Sequence, residues 1–265
     1  AAQTLHGLKI LVVEDTPINL KVILNQLKRL GIESIVFASN GQEALARLEE
    51  EDYDIVLMDC LMPILDGYET TRILRQREGT RAHTTVIAMT ANALKGDRDK
   101  CIAAGMDDYI SKPVNLDDLA DVLNRWVPLS TESAPPSVEP LRTAQEPQWV
   151  LPIDLEALSD ISQGDWDFQL EIMEMFLENA IVNVENLEEA IVRNDLQAII
   201  RNAHQLKGAS STAAILHIPE ISARLEQQAH RGCLESADES IDRLKQVLQE
   251  VRDWVTVNWG DPVNR

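Results

Sequence analysis

A set of polar residues stands where apolar runs break off. Ile55-Val56-Leu57-Met58 ends at Asp59, Leu8 to Val13 at Glu14-Asp15, Val86 to Met89 at Thr90, and Tyr109-Ile110-Ser111 at Lys112-Pro113. Short apolar runs rich in strand formers read as buried strands of a parallel sheet. Such a sheet brings its strand ends to one edge, where open α/β sheets bind their ligands. Converging carboxylates there make an oxygen-rich site suited to Mg²⁺, which keeps several waters and accepts few protein ligands. Lys112 adds an ammonium and Thr90 a hydroxyl. Together they suit in-line phosphoryl transfer onto a carboxylate, with Asp59 as the acceptor. Ordinary helix caps plus one ion pair are the plainer explanation, and the agreement of four strand ends argues against it.

A second constellation lies near the other end of the chain. Stepping 100° per residue from Leu196, the residues Leu196, Ile199, Ile200, Ala203, Leu206 and Ser210 cover one arc, the expected core face. His204, Lys207, Gly208 and Ser211 fall on the adjacent arc, expected to face solvent. An imidazole is partly neutral at pH 7 and then a competent nucleophile. Lys207 one turn on can neutralise an incoming phosphoryl group, and Gly208 removes a side chain that would obstruct approach. The other histidines carry no comparable pattern: His230 precedes Gly232 at a helix end, His83 falls in a loop, and His6 is near the start. His217 lies thirteen residues from His204 and from His230, which is no metal spacing.

The elements that position these groups follow from punctuation. In the first half, strands over Leu8–Val13, Ser34–Ala38, Ile55–Met58, Val86–Met89 and Tyr109–Ser111 alternate with helices. The helices span Pro17–Leu30, Gln42–Glu50 (capped by Asn40), Tyr68–Arg77, Lys95–Ala104 and Leu116–Val127. Alternation of this kind means a doubly wound α/β domain, here over 8–127, with a five-stranded parallel sheet. Over 128–150 the composition turns to Pro, Ser, Thr, Glu and Ala, which reads as a flexible linker. About 20 residues at roughly 3.1 Å each would reach about 60 Å, enough for two domains to meet or part. Over 151–258 the pattern is helical throughout, with Asp154 as an N-cap and segments near 165–180, 183–193, 195–214, 219–231 and 236–258. An all-α antiparallel bundle is the expected architecture.

Composition narrows the function classes. The 265 residues carry a net charge of −20, which argues against nucleic acid and against an anionic membrane surface. No apolar run reaches the length of a membrane span, and the start lacks a secretory layout. Cys60, Cys101 and Cys233 are scattered and odd in number, which suits a reducing cytosol and shows no metal-ligand spacing. A first residue of Ala rather than Met points to a piece of a longer chain. There is no P-loop or Gly-rich nucleotide motif, so the chain is not expected to use ATP unaided.

Residues 8–127 resemble a response-regulator receiver domain through Leu-Val-Val-Glu14-Asp15, Leu-Met-Asp59-Cys-Leu-Met-Pro63-Ile-Leu-Asp66-Gly67, Ala-Met-Thr90-Ala and Ser-Lys112-Pro113. The resemblance implies a flavodoxin-like fold with Asp59 as phosphoacceptor. It implies Mg²⁺ on Glu14, Asp15, Asp59 and the Leu61 carbonyl, a switch pair of Thr90 and Tyr109, and Lys112 at the phosphoryl group. Ala203-His204-Gln-Leu-Lys207-Gly208-Ala-Ser-Ser resembles a histidine-containing phosphotransfer domain, with Ala214 where that family usually has Gly. A methyl group there is expected to loosen partner docking slightly. The pair of modules is similar to the C-terminal part of a hybrid sensor histidine kinase. That implies an upstream kinase domain and a downstream response regulator as partners, and a cytoplasmic setting beneath a membrane-anchored parent.

Two rivals stay open at this point. A metal-dependent phosphatase with an Asp nucleophile commonly has a second acid two residues on, where this chain has Leu61. Alternatively the bundle is a dimerisation element and His204 is not phosphorylated. A last expectation concerns the helix from Pro17: its core stripe is Leu20, Ile23, Leu24 and Leu27. Ile18 and Val22 lie off that stripe beside Asn25 and Arg29, on a face expected to see water. Their closeness to Glu14-Asp15 marks them as a docking patch for a helix bearing a phosphorylatable histidine, within this chain or from another.

Overall fold

The computed structural model describes residues 5, 7–79, 83–90, 95–127 and 152–259; the linker expected over 128–150 lies outside them. Five parallel strands form one sheet in the order β2-β1-β3-β4-β5. They are β1 (Lys9–Val13), β2 (Ser34–Ala38), β3 (Ile55–Asp59), β4 (Thr85–Thr90) and β5 (Asp108–Ser111). Helices α1 (Pro17–Arg29), α2 (Gly41–Glu50), α3 (Gly67–Glu78), α4 (Lys95–Ala104) and α5 (Leu116–Trp126) alternate with them. This is the doubly wound, flavodoxin-like order, with its switch point between β1 and β3. The central strands are buried on both faces, as their unbroken apolar runs require. Two clusters sandwich the sheet, one containing Ile10, Val12, Leu57 and Leu123, the other Leu11, Val56, Met58 and Cys101.

Gly67 is fixed by a close approach. A Cβ there would lie 2.1 Å from the carbonyl oxygen of Asp59, so only glycine lets α3 start beneath the end of β3. Asp66 caps the same helix by accepting a 2.8 Å bond from the Glu69 amide.

The second half is α6 (Leu155–Ser162), α7 (Trp166–Val192), α8 (Leu196–Thr212), α9 (Ile218–Arg231) and α10 (Ala237–Trp259). α7 packs on α8, α8 on α9, α9 on α10, and α10 returns to α7. Short connections make successive neighbours antiparallel. Asp154, Asp165 and Asp195 cap α6, α7 and α8 through the amides of Ala157, Phe168 and Ala198. Two segments expected near 165–180 and 183–193 are one helix. Asn179 and Asn183, poor helix formers, bond back to the carbonyls of Met175 and Asn179 at 2.8 and 3.0 Å and sit within the turn without ending it. Ala214 follows α8 with φ of 55°, a left-handed conformation, so the glycine it replaces is favoured there by backbone geometry.

The face of α1 expected to see water does not. Ile18 and Val22 are buried and belong to the bundle's own hydrophobic cluster, because α1 packs against α7 and α8. Ion pairs flank the contact, Lys21 with Glu171 at 2.5 Å and Arg29 with Asp165 at 3.6 Å. The scattered cysteines also partly converge. The sulfurs of Cys60 and Cys101 lie 3.8 Å apart as buried free thiols.

Candidate functional site

Strand register sets the acidic edge. β1 and β3 are neighbours, so Glu14-Asp15 and Asp59 leave the sheet side by side. One carboxylate oxygen from each of Glu14, Asp15 and Asp59 lies within 4.8 Å of the others. Glu14 and Asp59 are almost wholly buried. Lys112 reaches from the end of β5 and places Nζ 2.6 Å from Glu14 Oε2 and 2.8 Å from Asp59 Oδ2. Burial alone would lower the Lys112 ammonium's pKa, but the two carboxylates outweigh it and hold it above the ordinary lysine value. Burial pushes the Glu14 and Asp15 carboxyls up, against the pull of Lys112 on Glu14 and of a hydrogen bond from Gln205 on Asp15.

Thr90 ends β4 beside Asp59's strand and is buried. Tyr109 is one strand further out, packed against the second sheet cluster, with the Arg98 guanidinium 5.8 Å from its ring centroid. The Leu61 amide donates to Asp59 Oδ1 at 3.3 Å, holding the turn after β3 around the acid.

The arc of α8 carrying His204 faces the acidic edge of the sheet, correcting the expectation that it faces solvent. His204 and Lys207 retain 12% and 16% of their side-chain exposure, and Gly208 is buried. Asp59, Leu61, Thr90, His204 and Lys207 all line one cavity of about 770 Å³. Sequence reasoning thus named residues on both sides of one chamber.

It missed Asn19, Gln205 and Thr212, which join the two sides, and Glu226, which braces the histidine within the bundle. Asn19 donates to Glu14 Oε1 at 2.9 Å and accepts from the Thr212 hydroxyl at 2.7 Å. Gln205 donates to Asp15 Oδ2 at 2.5 Å. Glu226 of α9 sits 3.4 Å from His204 Nδ1 and 3.9 Å from Lys207 Nζ. Burial would raise the Glu226 carboxyl, but His204 and Lys207 together bring it below the ordinary glutamate value. An ionised carboxylate only accepts, so Nδ1 is the ring nitrogen that donates toward Glu226. Asn19 had a sequence signal, a polar residue in the first turns of a helix that follows paired acids. Gln205, Thr212 and Glu226 had none.

Paired acids, a strand-end aspartate and a lysine on a 2-1-3-4-5 sheet are the features of a receiver, and a histidine of the helical bundle lines the same cavity. Residues 10–124 match the family described as response regulator receiver domain, and residues 171–254 the Hpt domain family. The chain is a receiver joined to an Hpt domain, the modules of a two-component phosphorelay. It is similar to the sensor histidine kinase GacS of Pseudomonas protegens, 29% identical over 89% of this chain and 26% of GacS. It is likewise 29% identical to the virulence sensor protein BvgS of Bordetella pertussis, over 84% of this chain and 18% of BvgS. The chain therefore spans about a quarter or less of these relatives. The crystallised receiver domain of the Pseudomonas aeruginosa sensor histidine kinase PA1611, with a magnesium ion in its cleft, is 45% identical. That match covers 45% of this chain and 97% of the receiver, with a TM-score of 0.42. Among the described residues, no helix is long and apolar enough to cross a membrane.

Proposed function

We propose that Asp59 accepts a phosphoryl group and exchanges it with His204 of the same chain, as one step of a phosphorelay within a hybrid sensor kinase. The shared cavity between Asp59 and His204 is the observation that carries this reading. It is roomy enough for a phosphoryl group, and docking of α8 on α1 holds acceptor and donor on facing walls. That favours a relay role for the bundle over one as a dimerisation element.

The donor set fits a hard divalent cation, because among the described residues Lys112 is the cation paired with the three clustered carboxylates, which leaves excess negative charge on their oxygens. Glu14, Asp15, Asp59 and the Leu61 carbonyl would hold Mg²⁺, whose charge would be shared with phosphoryl oxygens. Lys112 withdraws one hydrogen bond from Asp59 to the incoming phosphoryl group while keeping Glu14. Thr90 donates its hydroxyl to a phosphoryl oxygen, and Tyr109 follows it as the second member of the switch pair. In the onward step Nε2 of His204 attacks phosphorus in line and the Asp59 carboxylate leaves. Glu226 stabilises the positive charge that develops on the imidazole, and Lys207 the negative charge on the phosphoryl oxygens. Gly208 keeps α8 close to α1, and Ile18 and Val22 form the docking surface. The upstream donor is a kinase histidine and the onward acceptor a response regulator, both on the cytoplasmic side.

Acetyl phosphate labelling tests the first step. The chain is expected to take label only with Mg²⁺ present, and Asp59→Asn to abolish it. Full labelling of Asp59→Asn would overturn the assignment.

A further inference from the structure

The bundle reaches into the receiver's acidic site as well as covering it. Gln205, next to the histidine on α8, donates its amide N–H to Asp15 Oδ2, across a gap of 190 positions in sequence. Thr16, also neutral, donates its hydroxyl to Asp15 Oδ1 at 3.3 Å. Glu14 is held from the bundle as well, through Asn19 and Thr212. Asp15 is thus bonded directly from the bundle, and Glu14 through Asn19 of α1, which the bundle's Thr212 holds in turn.

Electrostatics gives the sign of the consequence. Docking strips water from three carboxylates that, among the described residues, only Lys112 pairs as a cation. The Lys207 ammonium the bundle brings to the cavity is already answered by Glu226, so the excess negative charge opposes docking. A divalent cation on the same oxygens removes that opposition. Reciprocity then requires that docking tighten the cation by the same factor. A neutral donor that orients a ligand carboxylate without adding charge serves that coupling, as outer-shell hydrogen bonds do in other metal sites.

From this we infer that Gln205 is a positioning residue of the receiver's cation site, supplied by the bundle, and that Mg²⁺ binding and bundle docking reinforce each other through it. The inference builds on the cation site proposed above.

Calorimetric titration of the full chain with MgCl₂ tests it. Gln205→Ala is expected to weaken Mg²⁺ binding about tenfold. Val22→Asn, which opens the contact without adding charge, should weaken it comparably. The double variant should lose no more than either single one. In the unsubstituted chain, Mg²⁺ should slow hydrogen exchange in α1 and α8, and Gln205→Ala should erase that effect. Equal or tighter binding by Gln205→Ala overturns the inference, as do losses that multiply in the double variant. Exchange that Mg²⁺ leaves unchanged or speeds up overturns it independently of any variant. No Mg²⁺ binding by the unsubstituted chain would instead overturn the cation site itself.

Discussion

Thr212 and Asn19 lie 193 positions apart and share a buried hydrogen bond of 2.7 Å. Asn19 is pinned at its other end by Glu14, so the contact between the two domains continues into the acidic site. That rigidity explains Gly208. A Cβ at Gly208 would lie 3.3 Å from Asn19 Nδ2, a close contact with an atom that cannot swing away without breaking a hydrogen bond.

Gly208→Ala should therefore act in opposite directions on the two properties. Alanine in a helix interior gains up to about 1 kcal/mol over glycine, so the bundle's thermal unfolding should move up. Docking should weaken, and transfer between Asp59 and His204 should slow several-fold. Calorimetric melting and a transfer time course check both. Faster or equal transfer would show that α8 does not need this close approach.

A charge in the apolar contact should separate docking from phosphorylation. Val22 is 2% exposed beneath the bundle, and Val22→Glu would bury an unpaired carboxylate there. Transfer to His204 should fall at least tenfold, while acetyl phosphate labelling of Asp59 at saturating Mg²⁺ stays near that of the unsubstituted chain. Unchanged transfer in a folded Val22→Glu protein would rule this surface out.

Much of the site was legible in the sequence because a buried parallel strand has a sharp end. Asp59, Thr90 and Lys112 are polar residues abutting apolar runs, and topology alone brings such ends together. The docking was only half legible. Ile18, Val22 and His204 stood off their helices' core stripes, and helical periodicity separates an element's core face from its other faces without saying what covers them. Gln205, Thr212 and Glu226 were illegible for a related reason. Gln205 and Thr212 are ordinary polar helix residues until the first domain places Asp15 and Asn19 opposite them, and Glu226 is one until the packing of α9 on α8 brings His204 to it. The split expected in α7 failed locally, since Asn179 and Asn183 satisfy their amides against their own helix.

Glu226 makes the bundle's acid stability titratable. Its carboxyl titrates below the ordinary glutamate value of 4.5 because His204 and Lys207 outweigh its burial. A depressed carboxylate contributes stability that is fully present above the unfolded value and is lost as pH falls through the folded one. Denaturant melts should therefore show the bundle weakening as pH drops below 4.5, and Glu226→Gln should flatten that part of the profile. In the transfer assay near neutral pH, Glu226→Gln should slow His204 phosphorylation, because the proton on Nδ1 loses its ionised partner. An unaltered acid profile together with an unaltered transfer rate would remove Glu226 from the mechanism.

The most direct test of the central claim is whether Asp59 and His204 exchange phosphate within one chain. Acetyl phosphate loads the protein, and the product is followed by its chemistry, since acyl phosphate is lost in alkali and phosphohistidine in acid. The unsubstituted chain should build up base-stable label at a rate independent of protein concentration. A mixture of Asp59→Asn and His204→Gln chains should do so slowly and in proportion to concentration. A mixture as fast as the unsubstituted chain, or base-stable label that persists in His204→Gln alone, would contradict the account.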